Sequence, residues 1–259
     1  MKKILVTGAN GQLGQCLNDL VTIKNNENLQ FVFVDRNQFD VTDRNLIETF
    51  FFSNKIDFCV NCAAYTNVDL AETEVEKAFS INSDGPGFLA AECREQQSVF
   101  IHISTDYVFD GNSQTPYLPD DRTNPINVYG KSKLAGEEKA LAQNPNSIII
   151  RTSWLYSDYG KNFYNTMKRL MTEREEISVV NDQIGKPTNA NDLASYIYKL
   201  IENDSTEFGI HHFAGPEIMS WYEFALKIAA ENGFKTKINP IPTSAYPTAA
   251  KRPMWSVLD

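Results

Sequence analysis

The sequence predicts an α/β protein, a doubly wound parallel sheet joined to a smaller C-terminal lobe. Three observations point there. Short apolar runs of strand length alternate with segments of helical periodicity through roughly the first 150 residues, the pattern that builds βαβ units. A glycine-rich stretch, Gly8-Ala9-Asn10-Gly11-Gln12-Leu13-Gly14, falls where the first strand gives way to the first helix. Beyond residue 150 the rhythm changes, so 1–150 and 151–259 are expected to divide the chain, with parts of 175–215 returning to the first unit.

The elements follow in order. Ile4-Leu5-Val6 forms a buried strand, and Leu13, Cys16, Leu17, Leu20 and Val21 recur at helical spacing after it. Phe31 to Val34 is a second strand that ends at Asp35. Asp40-Val41-Thr42-Asp43 caps a helix carrying Leu46, Ile47 and Phe50. The strand Phe58 to Cys62 leads through Ala63-Ala64-Tyr65-Thr66 to helical positions Ala71, Val75, Ala78 and Phe79. A helix over Pro86 to Gln96 precedes the strand Val99 to Ile103, which runs into Ser104-Thr105. The proline-punctuated stretch Thr115 to Pro125 is followed by Tyr129 and a helix over Lys131 to Leu141, then the strand Ser147 to Ile150. In the second half, Lys161 to Glu173 and Asp192 to Ile201 read as helices, and Ile177 to Val180 and Gly209 to Ala214 as strands. Ser220-Trp221-Tyr222-Glu223 is a capping box opening a helix that stops at Gly233. Pro240, Pro242, Pro247 and Pro253 leave no regular element at the end.

Composition narrows the partners. An apolar fraction of 42% and a charged fraction of 22% are those of an ordinary globule. A net charge of −9 argues against nucleic acid or an anionic membrane surface. The apolar run after Lys2-Lys3 is too short for a secretory signal, and no stretch is long enough to span a bilayer. Cys59 and Cys62 are three apart in a strand, so their side chains face opposite ways and cannot share a metal there. Buried thiols in a reducing cytoplasm are expected, with no metal. His102, His211 and His212 fall in strands and read as structural.

The candidate site comes from position. Glycines between strand and helix let backbone N–H groups and the helix dipole hold a pyrophosphate, which makes 1–150 a dinucleotide-binding domain and 151–259 largely a substrate-binding lobe. Asp35, about two dozen residues on at a strand end, suits an adenosine ribose. Arg36 beside it could instead meet a 2′-phosphate, so the reading leans to NADH and leaves NADPH open. Tyr129 and Lys133 are four apart on one helix face. An ammonium held near a phenol lowers its pKa and makes it a proton donor near neutrality. Tyr164 and Lys168 share that spacing but lie in the apolar stripe Phe163, Tyr164, Met167, Leu170, Met171, which reads as packing.

These residues, together with Asn61-Cys62-Ala63-Ala64-Tyr65-Thr66, Val68-Asp69-x-Ala71-Glu72, Ser104 to Gly111, Asn127-Val128-Tyr129-Gly130-x-x-Lys133, Arg151 to Tyr156, Asn162-Phe163, Asn181 to Thr188, Ala245 to Thr248 and Arg252-Pro253, resemble the extended short-chain dehydrogenase/reductase family. More narrowly they are similar to its dTDP-4-dehydrorhamnose reductase branch. The resemblance implies a Rossmann-type sheet and hydride transfer from NADH or NADPH to the C4 ketone of a dTDP-linked 4-keto-6-deoxyhexose. It implies Tyr129 as proton donor, Lys133 on the nicotinamide ribose, and Thr105 on the reacting oxygen. Gly8, Gly11, Gln12, Leu13, Gly14, Asp35, Arg36, Asp40, Val41, Ala63, Ala64 and Tyr65 are then cofactor contacts, and Thr105, Asp106 and Trp154 line the sugar pocket. Arg252 is the expected partner of the substrate diphosphate. Some relatives hold Mg²⁺ at a dimer contact through glutamates; Gln15 and Asn191-Asp192 stand there here, so no metal is expected and a homodimer is left open. Relatives also carry a further helix after the stretch matching Ser256 to Asp259. A related fold that binds NADP as a regulatory subunit of methionine adenosyltransferase, and a reductase or epimerase of another 4-keto nucleotide sugar, are the alternatives.

Overall fold

The computed structural model describes Met1–Asp259. Strand β1 (Lys2–Thr7) leads into α1 (Gln12–Lys24), β2 (Leu29–Val34), α2 (Arg44–Ser53) and β3 (Phe58–Asn61). Two short helices, α3 (Val68–Ala71) and α4 (Val75–Phe79), run through a π-helical turn at Ser80–Asp84 into α5 (Gly85–Glu95). Next come β4 (Val99–Thr105), α6 (Val128–Gln143), β5 (Ser147–Thr152), β6 (Leu155–Tyr156) and α7 (Phe163–Glu173). The remainder is β7 (Glu176–Val180), β8 (Ile184–Gly185), β9 (Thr188–Asn189), α8 (Ala190–Glu202), β10 (Gly209–His212), β11 (Met219–Ser220), α9 (Trp221–Asn232) and β12 (Lys237–Ile241).

Six strands form one parallel sheet in the order β10-β5-β4-β3-β1-β2. Successive strand side chains face opposite ways, so each strand feeds two cores. Ile4, Val6, Phe58, Val60, Ile101, Ile148 and Ile150 point to the side covered by α1 and α8. Leu5, Cys59, Phe100 and Ile149 point to the side packed by α2 and α5. That two-sided burial is why the strands read as continuous apolar runs. Cys59 lies in one core and Cys62 packs on the other, as their spacing required, and no cluster of metal-ligating side chains occurs.

Helix α8 and strand β10 return to this sheet from the second half of the chain. The rest of that half has its own core, in which Met167, Met171, Ile177, Val179, Phe224, Ile228 and Ile238 meet. The end of the chain is more regular than its prolines suggest. Residues Lys237–Ile241 pair in parallel with β7, Pro240 opposite Val179. Only β7 is hydrogen-bonded to this strand, and on an edge a missing N–H is tolerated. Beyond it, a strap ties the two halves: Tyr117 N donates to Val257 O, and Ile184 N to Met254 O.

The strand order reverses between β1 and β3, and in such sheets the ligand crevice opens at the carboxyl ends there. The loops after these two strands touch. Gly8 has φ +71°, and a Cβ on it would stand 2.6 Å from Ala63 N, so no side chain fits. A Cβ on Gly14 would come 2.5 Å from Gly8 O, which lets α1 pack directly beneath the loop.

Candidate active site

Helices α2, α6, α7, α8 and α9 each begin with a side chain that accepts a backbone N–H: Asp43, Asn127, Asn162, Asn189 and Ser220. Helix α1 begins at Gly11 with no side-chain cap. Its first N–H groups therefore face the crevice free of side-chain partners, as an anion site requires. Two adjoining cavities open there. One of about 290 Å³ is lined by Gly8, Gly11, Asp35, Arg36, Asp40, Val41, Ala63 and Ala64. The other, of about 500 Å³, takes in Gly11, Gln12, Leu13, Ala64, Thr105, Asp106, Tyr129, Lys133 and Trp154. Asn10, Gly11, Cys62 and Ala64 border both. The residues thus fit an extended dinucleotide, with the glycine turn at its middle.

Asp35 is held in place at the end of β2. Its Oδ2 accepts from Asn10 Nδ2 at 2.9 Å, and its Oδ1 accepts from the backbone N–H groups of Asn37 and Gln38. Arg36 is exposed, with Nε 3.7 Å from Asp40 Oδ2.

In the larger cavity, Asn127 Oδ1 accepts from Gly130 N at 2.8 Å and starts α6, so that Tyr129 and Lys133 emerge on one face. Thr105 comes from the end of β4; its hydroxyl donates to Asp106 Oδ1 at 2.9 Å. Asp106 Oδ2 is buried with no partner, the nearby Ser256 hydroxyl donating to Ile184 O instead. Burial raises the Asp106 carboxyl to about 6. Trp154 sits in the left-handed region at φ +48° and is held there by a face-to-face stack on Trp221, ring centroids 3.4 Å apart.

The model matching residues 1–259 is that of the RmlD substrate binding domain. The chain belongs to that family. Among its relatives is a dTDP-4-dehydrorhamnose reductase of Aggregatibacter actinomycetemcomitans, 41% identical over all of this chain and 91% of the relative. A crystal structure of a dTDP-4-dehydrorhamnose reductase from Clostridium acetobutylicum superposes with a TM-score of 0.95 at 40% identity, covering 99% of this chain and 90% of that one. The Bacillus anthracis protein of the same name, solved in complex with NADP, gives a TM-score of 0.95 at 38% identity over 100% and 91%.

For this member of the RmlD substrate binding domain family, one expectation about Tyr129 is corrected. The phenol is not tuned downward by its neighbour. Burial pushes it up to about 12, against a lowering influence from the Thr105 hydroxyl. The Lys133 nitrogen is engaged elsewhere: it donates to Ile103 O at 2.6 Å and lies 3.4 Å from His102 Nε2. Arg252 is also placed apart. It lines neither cavity, and its two terminal nitrogens donate to Asp69 Oδ1 and Oδ2 at 2.7 and 2.8 Å. Gly14 and Tyr65 support the walls without lining them: Tyr65 N donates to Asn82 Oδ1, and its hydroxyl to Glu74. Tyr164 packs in the second core, as its stripe predicted.

Several site residues had no role in the sequence reading. Asn82, in the π-helical turn, grips both N and O of Tyr65 and the Ser132 hydroxyl of α6. Ser157 and Asn162 donate to Gln12 Oε1, latching the second half onto the glycine turn. Lys161 lines the larger cavity and has no ion-pair partner. The capping asparagine before Phe163 was the one visible signal for that latch.

Proposed function

We propose that this chain is a cytoplasmic NAD(P)H-dependent reductase that converts dTDP-4-dehydro-L-rhamnose to dTDP-L-rhamnose. The observation that carries the reading is the convergence of Thr105, Tyr129 and Lys133 in one cavity that opens onto the uncapped start of α1. The nicotinamide, when bound, supplies the hydride that reduces C4. Tyr129 then donates its phenolic proton to the oxygen at C4, so the ketone gains one hydride and one proton. A phenol pushed up to about 12 by burial is protonated at neutral pH, the form a donor needs. Thr105 donates a hydrogen bond to the same oxygen, where charge develops. Lys133 holds the nicotinamide ribose. Trp154, fixed against Trp221, and Asp106 wall the sugar.

The relative solved with NADP and the exposed Arg36 support NADPH, while the pre-oriented Asp35 supports NADH; both cofactors are expected to serve. Lys161, rather than Arg252, is the cation placed to meet the substrate diphosphate, because the Arg252 charge is already matched by Asp69. The residues 151–259, apart from α8 and β10, form the lobe that holds the substrate.

The test is oxidation of NADH or NADPH in the presence of dTDP-4-dehydro-L-rhamnose, with the product sugar identified. Tyr129→Phe is expected to lower kcat by about 100-fold or more, and Tyr164→Phe to leave it nearly unchanged. Equal loss in both variants, or no turnover of any 4-keto nucleotide sugar, overturns the reading. Absent turnover with a tightly co-purifying protein points to the regulatory-subunit alternative.

A further inference from the structure

Beneath the cavity lies a line of buried polar side chains that the proposed chemistry does not use. Thr7, Asn61 and His102 are register partners on the adjacent strands β1, β3 and β4, so they share one face of the sheet. All three are buried. Thr7 Oγ1 donates to Asn61 Oδ1 at 2.6 Å, Asn61 Nδ2 meets His102 Nδ1 at 3.1 Å, and His102 Nε2 meets Lys133 Nζ at 3.4 Å.

Hydrogen-bond polarity along this line can be fixed from one end. The Ala63 backbone N–H is only a donor, and it reaches Asn61 Oδ1 at 3.1 Å. Turning the Asn61 amide over would set its NH₂ against that N–H, so Nδ2 must face His102 and donate. His102 Nδ1 is therefore an acceptor, and a neutral imidazole then carries its proton on Nε2. Burial drives His102 well below 6.5, so the ring is neutral. Its N–H points at Lys133.

We infer that Asn61 and His102 disfavour the ammonium form of Lys133 by setting a ring N–H against it, so that this lysine gives up its proton far more readily than an exposed one. An ammonium there has only donors and meets a second donor. An amine accepts from His102 Nε2–H through its lone pair and still donates to Ile103 O. His102 is a positioning residue in this scheme, and Asn61 sets its tautomer.

The other groups around Lys133 do not restore the charge. Burial brings Lys133 down to about 8 against the opposing pull of Glu137. The Glu137 carboxylate is itself gripped by Arg151 of β5, Nε to Oε1 at 3.0 Å and Nη2 to Oε2 at 2.7 Å, and it also accepts from the Ser104 hydroxyl. Cys62, following β3, is pushed up to about 12 and stays a thiol. Tyr129, on α6, stays a phenol, and Asp106 lies beyond Thr105.

The inference concerns the charge at the site of the proposed reaction, but its test needs no turnover. Full-length protein labelled with ¹⁵N-histidine contains three histidines; His102 is assigned by the resonance lost in His102→Phe. The expected spectrum shows Nε2 protonated and Nδ1 bare. In lysine-labelled protein the Lys133 side chain, assigned by loss in Lys133→Met, is expected to titrate near 8. Its midpoint should rise in His102→Phe, where the opposing donor is gone, whereas burial alone would leave it unchanged or lower. If His102→Phe does not fold, Asn61→Asp serves, since a carboxylate draws the proton to Nδ1 and turns Nε2 into an acceptor. A bare Nε2 in the wild-type spectrum, or a Lys133 midpoint near that of a free lysine, overturns the inference. Neither result bears on whether the cavity reduces a sugar ketone.

Discussion

Tyr129 and Lys133 show how far a spacing can be read. Four residues on one helix put both groups in the cavity, but not their charge states, which depend on the Ile103 carbonyl and His102 ring supplied by a strand 30 and 31 residues before Lys133. Asp106 was legible as a pocket residue, its buried and unpartnered oxygen was not. That oxygen has a consequence for stability. The folded-state pKa is about 6 against a usual value of 3.8, so between those limits the native state binds more protons than the unfolded one. Stability therefore falls as pH rises through that window, and the loss persists above it. Asp106→Asn removes the charge while keeping an acceptor for Thr105. It should be more stable than the parent by about 2 kcal/mol at pH 7, with the gain fading toward pH 4, and should reduce sugar turnover. Urea unfolding of both proteins at the two pH values checks this; an equal gain at both would refute it.

At the scale of elements, the strands and most helix starts were legible because period and capping chemistry are local. The Ser220 capping box is formed as its four residues indicate, with Glu223 reaching back to Ser220 N at 2.7 Å. Ser220→Ala should cost about 1 kcal/mol, read as a lower unfolding temperature, with dinucleotide affinity unchanged because α9 packs in the second core. The π-helical turn at Ser80–Asp84 had no such signal. It packs directly on α6: a Cβ on Gly136 would lie 2.0 Å from Asn82 O. Gly136→Ala should therefore push α6 off its support, destabilising by about 1–3 kcal/mol. Because α6 bears both Tyr129 and Lys133, kcat should fall more than KM rises. Retained kcat in a folded Gly136→Ala protein would show that α6 keeps its place.

At the scale of the molecule, long-range ties decide what the sequence left open. Asp69 and Arg252 are distant in sequence, and neither spacing nor composition could pair them; the same pairing took Arg252 away from the role expected of it. Asp69 also accepts from Ala250 N, and Asn127, which starts α6, donates to Lys251 O. Asp69 is partly exposed, so Arg252→Leu should lose only about 1 kcal/mol. It should leave KM for the sugar nucleotide nearly unchanged, because Arg252 lines neither cavity, while Lys161→Ala should raise that KM alone. Steady-state kinetics with each substrate varied in turn separate the two.

The place of β10 beside β5 has a consequence during synthesis. Until Gly209 to His212 emerge, the run Ile148-Ile149-Ile150 is an unpaired sheet border. Some 57 residues separate the last of β5 from the first of β10, Thr152 to Gly209, and at roughly 5–20 residues per second the ribosome takes about 3–11 s to cover them. For that interval a strongly β-prone stretch is open to pairing with another nascent chain. Fragments released before residue 209 should accordingly pellet from lysates that keep the full chain dissolved, and replacing Ile149 with lysine in such a fragment should return it to the supernatant.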